Sequence, residues 1–500
     1  MNTVEKWGLF EVSLKGPSAG NPFTEQSVSA TFRSKNEIVT VDGFYDGDGV
    51  YKVRFMPSFT GDYVYETVGS FPEAESAGDF TVTEPTGNNH GPVRIANTYH
   101  FAYEDTTPYY SVGTTCYAWA HQPEEVHKQT LEELDKGYFN KMRFCVFPKH
   151  YIHNFRDPET FPYEGTPVDN SNLTEENFSY SVDFSGNNWD FTRFNPEHFR
   201  RMERCIVELQ ERGIEADIIV MHPYDRWGFS AMNREQDDLY WNYVIARFSA
   251  YRNVWWSLAN EYDLMRAKKL ENWEHYADLL CKKDPYNHMR SIHNCIPFYD
   301  HTRPWITHCS LQRQDLYRHV EYTTDYRTRY QKPIVWDEIA YEGNIDMGWG
   351  NISGQELTRR FWEASMRGGY AGHGETFMNP EDILWWSHGG KLHGESPAHI
   401  SHLNVKLAQT PCLGLKQGPR AIDETVAVPD EMIPVTGYEI HYYGFGRPSF
   451  RDFVKPAGEN WRVEVIDTWN MTITDAGVHS GKFRIALPGH EYMAVRLTRV

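Results

Sequence analysis

Two glutamates stand in contexts that could do chemistry together. Glu261 closes the run Trp255-Trp256-Ser257-Leu258-Ala259-Asn260-Glu261, and Glu338 closes Pro333-Ile334-Val335-Trp336-Asp337-Glu338. A short apolar run reads as a buried strand, so each carboxylate falls at a strand's C-terminal end. Their spacing, 338 − 261 = 77 positions, accommodates three strand–helix units. Two carboxyl groups facing each other across a cleft are the equipment of glycosidic-bond cleavage. At a separation of about 5–5.5 Å the second attacks as a nucleophile and configuration is retained; at ~6.5–9.5 Å it activates a water and configuration is inverted. The competing reading is structural: each carboxylate caps the next helix or pairs with an arginine. Finding two such contexts, one preceded by Asn, weighs against it.

The elements that must position them alternate in type. Candidate strands are Tyr110–Thr115, Lys141–Val146, Glu215–Val220, Val254–Leu258, Met289–His293, Trp305–Cys309, Pro333–Trp336 and Tyr370–Thr376. Helical patterns lie between most of them. Asn195-Pro196-Glu197 reads as a cap and first turn, with Phe199, Met202, Ile206 and Leu209 on one face and Gly213 as the stop. Trp241, Val244, Ile245 and Phe248 repeat that spacing, and Ser353-x-x-Glu356 predicts a capping box. Eight such units in about 300 residues predict a (β/α)8 TIM barrel, whose reacting groups project from the C-terminal strand ends. Glu261 then ends the fourth strand and Glu338 the seventh. A doubly wound sheet is the rival, but no GxGxxG follows the first strand.

Both ends of the chain change rhythm. Tyr51/Val53/Phe55 and Tyr63/Tyr65/Thr67 alternate with polar neighbours near the start. Trp461/Val463/Val465, Phe483/Ile485/Leu487 and Met493/Val495/Leu497 do so near the end. Period two in short runs predicts β-sandwiches. The expected α/β organisation is an N-terminal β-sandwich at 1–92, a catalytic barrel at 93–415 and a C-terminal β-sandwich at 416–500. The segment around 409–433 is expected to wrap back on the barrel.

Other polar groups fall at expected strand ends: Arg143 on the second, His222 and Tyr224 after the third, His293 on the fifth, His308 on the sixth and Glu375 on the eighth. Asn260 could hold a sugar hydroxyl beside Glu261. Trp119, Trp385 and Trp386 are candidates for stacking on a sugar ring, against core packing as the ordinary use of tryptophan. The stretch from Phe147 to Phe194 is far longer than the ~2–6 residues of an ordinary βα loop. Its aromatics (Tyr151, Phe155, Phe161, Tyr163, Phe178, Tyr180, Trp189, Phe191) argue for order. It is expected to be a lid that narrows the site, with a homo-oligomer contact as the alternative.

Composition excludes several classes. With 49 Lys+Arg against 69 Asp+Glu, the net charge of −20 suits no nucleic acid. No window approaches a membrane span. Seven scattered Cys, no CxxC and no HExxH argue against a disulfide framework, and neither metal nor cofactor is expected. The start, Met1-Asn2-Thr3-Val4-Glu5-Lys6, carries no basic and apolar leader, so a cytoplasmic chain is expected unless an export segment precedes it. Asn-x-Ser/Thr at Asn172, Asn177, Asn351 and Asn470 is too common a pattern to alter that.

Trp-Ser-Leu-Ala-Asn-Glu followed by Pro-Ile-Val-Trp-Asp-Glu resembles the clan of retaining (β/α)8-barrel glycoside hydrolases with catalytic Glu on strands four and seven. Outside the barrel, Gly43-Phe44-Tyr45-Asp46-Gly47 and Val465-Ile466-Asp467-Thr468-Trp469-Asn470 are similar to the sandwiches of bacterial, apiosidase-like members, and Asn89-His90-Gly91-Pro92 to the join between sandwich and barrel. The resemblance implies Glu261 as acid/base and Glu338 as nucleophile, with Asp337 second because the relatives turn the Glu inward. It implies a carbohydrate substrate and exo action, with an endo-acting glycanase as the alternative. From another class come a silent carbohydrate-binding protein and a metal-dependent amidohydrolase. The latter would need an HxH on the first strand, which reads Gly113-Thr114-Thr115-Cys116.

Overall fold

The computed structural model describes residues 2–180, 183–315, 317–419, 421–431 and 436–500. Ser181 and Val182 of the long loop, and Arg420, Met432 and Ile433 of the expected boundary segment, lie outside the described residues. Contacts group the chain into two units. One comprises Met1–Val93, Tyr117–Leu131 and Met142–Ile292; the other comprises Arg94–Cys116, Glu132–Lys141 and His293–Val500.

Eight short parallel strands form one sheet: Val112–Thr115, Lys141–Cys145, Glu215–Met221, Val254–Ala259, Arg290–Ser291, Cys309–Ser310, Ile334–Trp336 and Tyr370–His373. Numbered along the chain, their bonded order is five-four-three-two-one-eight-seven-six. A parallel bridge from His293 to Ser310 brings the two ends of that sheet together, which makes the fold a (β/α)8 barrel. Two strands depart from expectation. The sixth begins at Cys309, because Arg303-Pro304-Trp305 turns instead: Ile306 N–H donates to Arg303 O. The eighth stops at His373, and Glu375–Thr376 pairs separately with Glu342–Gly343.

The first unit opens with a five-stranded and a three-stranded sheet enclosing Phe10, Phe32, Phe55, Tyr63 and Phe80. Tyr51, Val53 and Phe55 are buried as their alternation requires. Arg54 between them is buried too, for an electrostatic reason. Its Nη1 and Nη2 donate to the two oxygens of Glu203 at 2.6 and 3.1 Å, on the helix Pro196–Glu211. Arg247 of the helix Arg234–Phe248 donates to Glu203 at 2.6 Å and to Asp46 at 2.8 Å. One buried carboxylate therefore bridges two guanidiniums where sandwich meets barrel, with Glu11 on Arg54 and Asp46 on Arg247 supplying further negative charge. Removing it leaves buried positive charge unpaired, so Glu203→Ala should cost about 3–5 kcal/mol in urea denaturation. A loss below 1 kcal/mol would show that this junction is not supporting the fold.

Within the same helices the expected faces are buried. Asn195 accepts from Glu197 N–H at the cap, and Phe199, Met202, Ile206 and Leu209 are each fully inside. At the barrel floor, burial pushes the Glu215 carboxyl up to about 8, against the pull of the Trp255 indole N–H that it accepts at 2.9 Å. The folded state then holds one proton more than the unfolded between about pH 4.5 and 8. Stability falls as pH rises through that window, by up to about 1.4 kcal/mol per unit. Glu215→Gln keeps the acceptor and removes the titration, so it should flatten the pH dependence of the urea midpoint; an unaltered slope would assign it elsewhere.

The second unit ends in a six-stranded sheet and a two-stranded one, enclosing Trp461, Val463, Ile485, Val495 and Leu497. Asp430 ties this region to the helix Thr323–Tyr330 through Arg327, and also meets His100 Nε2 at 3.0 Å. The helix Gly354–Met366 starts with half of the expected capping box. Ser353 Oγ accepts from Glu356 N–H, while the Glu356 side chain turns to Arg359 and Arg360. Among the described residues no helix is long and apolar enough to cross a membrane.

Candidate active site

In the first unit, the fourth strand delivers Asn260 and Glu261. Glu261 adopts φ 49°, ψ 55°, the left-handed region that side-chain-bearing residues avoid. Such a conformation costs on the order of 1–2 kcal/mol and persists where surroundings over-determine it, often at functional sites. The surroundings are specific. Tyr224 O–H donates to Glu261 Oε2, and Asn260 Nδ2–H reaches the same oxygen at 3.4 Å. Asn260 Oδ1 in turn accepts from Tyr117 O–H and from Arg143 Nη2, both at 3.3 Å. Arg143 faces Asp217 at 3.5 Å. Polar groups from the first four strands thus converge on one carboxyl plane.

Beneath Tyr224 sits a residue that sequence reasoning passed over. Lys149 Nζ lies 3.8 Å from the Tyr117 ring centroid, 4.6 Å from Tyr224 and 4.8 Å from Tyr151. An ammonium held by three ring faces fixes all three rings, and with them the Tyr224 hydroxyl. His222 lies alongside: its ring N–H donates to Phe147 O at 3.1 Å, and burial depresses its basicity to about 4. It stays neutral and belongs to the floor of this region.

In the second unit, Asp337 and Glu338 follow the seventh strand. Asp337 is completely buried, with Lys141 Nζ donating at 2.7 Å and Ser310 Oγ at 2.5 Å. Lys141 and Ser310 come from opposite sides of the barrel, so Asp337 is held inside it as a structural carboxylate. Glu338 is the more accessible of the two and meets His293 Nε2 at 3.5 Å. His293 Nδ1 contacts Ser310 Oγ at 2.9 Å. With the serine hydroxyl already donating to Asp337, Nδ1 carries the hydrogen of this contact, which fixes the ring in place beside Glu338. Ser310 escaped the sequence reading because the sixth strand was placed too early.

Five expected binding residues are elsewhere. Trp119 is fully buried, stacked on His127 with ring centroids 4.5 Å apart, and offers no face to a sugar. Trp385 is buried with its N–H on Thr114 Oγ1 at 2.8 Å, and Trp386 is buried as well. His308 precedes the sixth strand instead of ending it and packs edge-on to Phe101. Glu375 is structural: Oε1 accepts from His393 N–H at 2.6 Å and Oε2 from Gly394 N–H at 2.8 Å. Glu342 does the same for Glu395 and Ser396, so the pair pins the chain entering the helix Ser396–Ala408. A Cβ on Gly394 would lie 2.4 Å from Glu342 Oε2, which is why no side chain fits there.

The long loop is ordered in its described parts. Tyr163–Thr166 pairs antiparallel with Asn188–Phe194. Phe147 stacks on Tyr240 at 4.3 Å and Phe194 on Tyr243 at 4.1 Å, which fastens the hairpin to the helix Arg234–Phe248.

Glu261 follows the fourth strand and Glu338 the seventh. The chain belongs to the apiosidase-like family, whose catalytic domain matches residues 96–389. Residues 3–70 match the domain of unknown function DUF5060 and residues 430–498 the domain of unknown function DUF5605. A crystal structure from Bacteroides vulgatus ATCC 8482, provisionally described as a glycoside hydrolase, is 34% identical over 100% of both chains, with a TM-score of 0.91. A glycoside hydrolase family 5 structure from the same organism covers 82% of this chain and 94% of its own at 12% identity and TM-score 0.61, a likeness of fold. No curated protein matches the chain. The protein is a glycosidase acting on O-glycosyl bonds of a carbohydrate substrate.

Proposed function

We propose that this glycosidase retains anomeric configuration by double displacement, with Glu261 as acid/base and Glu338 as nucleophile, and that it removes single sugars from the ends of short chains or glycosides. The observation that carries the assignment is the difference in how the carboxylates are held. Glu261 is fixed in an unfavourable backbone conformation with Tyr224 on its carboxyl. Glu338 is kept accessible beside His293, while its neighbour Asp337 is consumed by Lys141 and Ser310.

In the first step Glu338 attacks the anomeric carbon while Glu261 protonates the departing oxygen. In the second, Glu261 takes a proton from water, and that water displaces the Glu338 ester. Tyr224 and Asn260 hold the Glu261 carboxyl through both roles. Arg143, through Asn260, is a positioning residue. Exo action is supported by the second-strand loop, which is far longer than an ordinary βα loop and carries its own hairpin.

The test is a screen of aryl glycosides, furanosides and apiosides included, with the first-formed anomer followed by NMR. The expected product has the substrate's configuration. From an oligosaccharide the early product should be one monosaccharide. An inverted first product overturns the mechanism; a ladder of intermediate lengths overturns the exo reading.

A further inference from the structure

A cavity of about 720 Å³ opens beside Tyr224 within the first unit. Tyr151, Tyr180 and Phe184 of the long loop line one side; Leu264, Met265 and Arg266, in the turn after Glu261, line the other. Its walls carry apolar surface that a protein normally hides. Tyr180 is 53% exposed, Leu264 39% and Phe184 37%. Clustered exposed apolar side chains in a concavity mark a binding site.

The character of the lining narrows what would bind. Asp225 is spent within the loop, accepting from the N–H groups of Trp227, Gly228 and Ser230. The Tyr151 ring stands edge-on to Tyr224 at 5.0 Å and to Tyr180 at 5.1 Å, so the three rings form a continuous wall. A sugar needs directed donors and acceptors for its hydroxyls as well as a face. A flat aromatic ring needs chiefly the faces. This lining supplies the faces of three tyrosines and a phenylalanine together with a few polar groups, His150, Asp263 and Arg266, and Arg266 is a cation that can lie over a bound ring.

The cavity's position gives it a role. Tyr224 is both its wall and the donor to Glu261, so the cavity lies on the Glu261 side. The acid serves the departing oxygen, and whatever fills the space next to it is the leaving group. We infer that this cavity is the leaving-group site and that it selects an aromatic, phenolic aglycone, with Tyr180, Phe184 and Leu264 as specificity determinants. The inference rests on Glu261 being the acid/base.

Two measurements on the full chain test it. The first titrates 4-methylumbelliferone, a free aryl leaving group, and follows quenching of its fluorescence. Wild type should bind it; Tyr180→Ala and Phe184→Ala should each weaken binding at least fivefold, and Tyr180→Phe should keep it. The second compares an aryl glycoside with the glycosyl fluoride of the same sugar, whose leaving group is too small to reach the wall. The ratio of their kcat/KM values should fall at least tenfold in the double alanine variant, mainly through the KM of the aryl substrate. Absence of 4-methylumbelliferone binding, or an unchanged ratio, overturns the inference. If the aryl probe binds as expected but Glu261→Ala behaves as a residue without acid function, the cavity stands as an aryl site and the catalytic assignment fails instead.

Discussion

Glu338→Ala should lose turnover by a factor on the order of 10⁵–10⁶, the scale seen when a nucleophile that acts as part of a unit is removed. No ester can form without the carboxylate, so substrates with good leaving groups should fare no better than poor ones. Added azide should enter the space vacated by the side chain and attack the anomeric carbon directly, releasing a glycosyl azide of inverted configuration. Asp337→Asn is the informative comparison. That carboxylate neutralises the buried Lys141 and accepts from Ser310, so its loss should appear first as instability or misplacement of His293. If Asp337→Asn abolishes chemistry in a well-folded protein while Glu338→Ala retains more than a hundredth of it, the two roles are exchanged.

Glu261→Ala should have a smaller and more selective effect, about 10²–10⁴-fold, the usual contribution of general acid–base catalysis. A leaving group that departs without a proton should still be displaced in the first step. The second step should then stall for want of a base, giving a burst of released phenol followed by slow turnover. Azide needs no deprotonation, so it should restore turnover and give a glycosyl azide of retained configuration. With a poor leaving group the first step should fail and azide should not help. Equal losses for good and poor leaving groups would remove Glu261 from the acid/base role.

Much of the architecture was legible in the sequence because a barrel writes itself as repeated apolar runs. The strands at Glu215–Met221 and Val254–Ala259 are buried on both faces and long enough to be seen as such. The sixth strand is only Cys309–Ser310, too short to produce a pattern, and its misplacement hid Ser310 and misassigned His308. The tryptophans show a different limit. Trp119 and Trp385 occur at strand exits, where a sugar platform would also occur, and residue type cannot distinguish a ring stacked on His127 from one turned to a ligand. Lys149 carried no signal of its own, since its three ring partners lie at positions 117, 151 and 224. Arg54 gave no warning, since alternation assigns it to the polar face of its strand; Glu203 supplies the physical reason for its burial.

The central claim is that a covalent glycosyl ester forms on Glu338. A 2-deoxy-2-fluoro glycoside bearing a good leaving group, built on whichever sugar the screen identifies, slows both steps and lets that ester accumulate. Mass spectrometry of the intact chain should show one added fluoroglycosyl group. Peptide mapping should place it on Glu338, and the adduct should be absent in Glu338→Ala. An adduct on Asp337 or Glu342, or an inverted product with no adduct at all, would contradict the account.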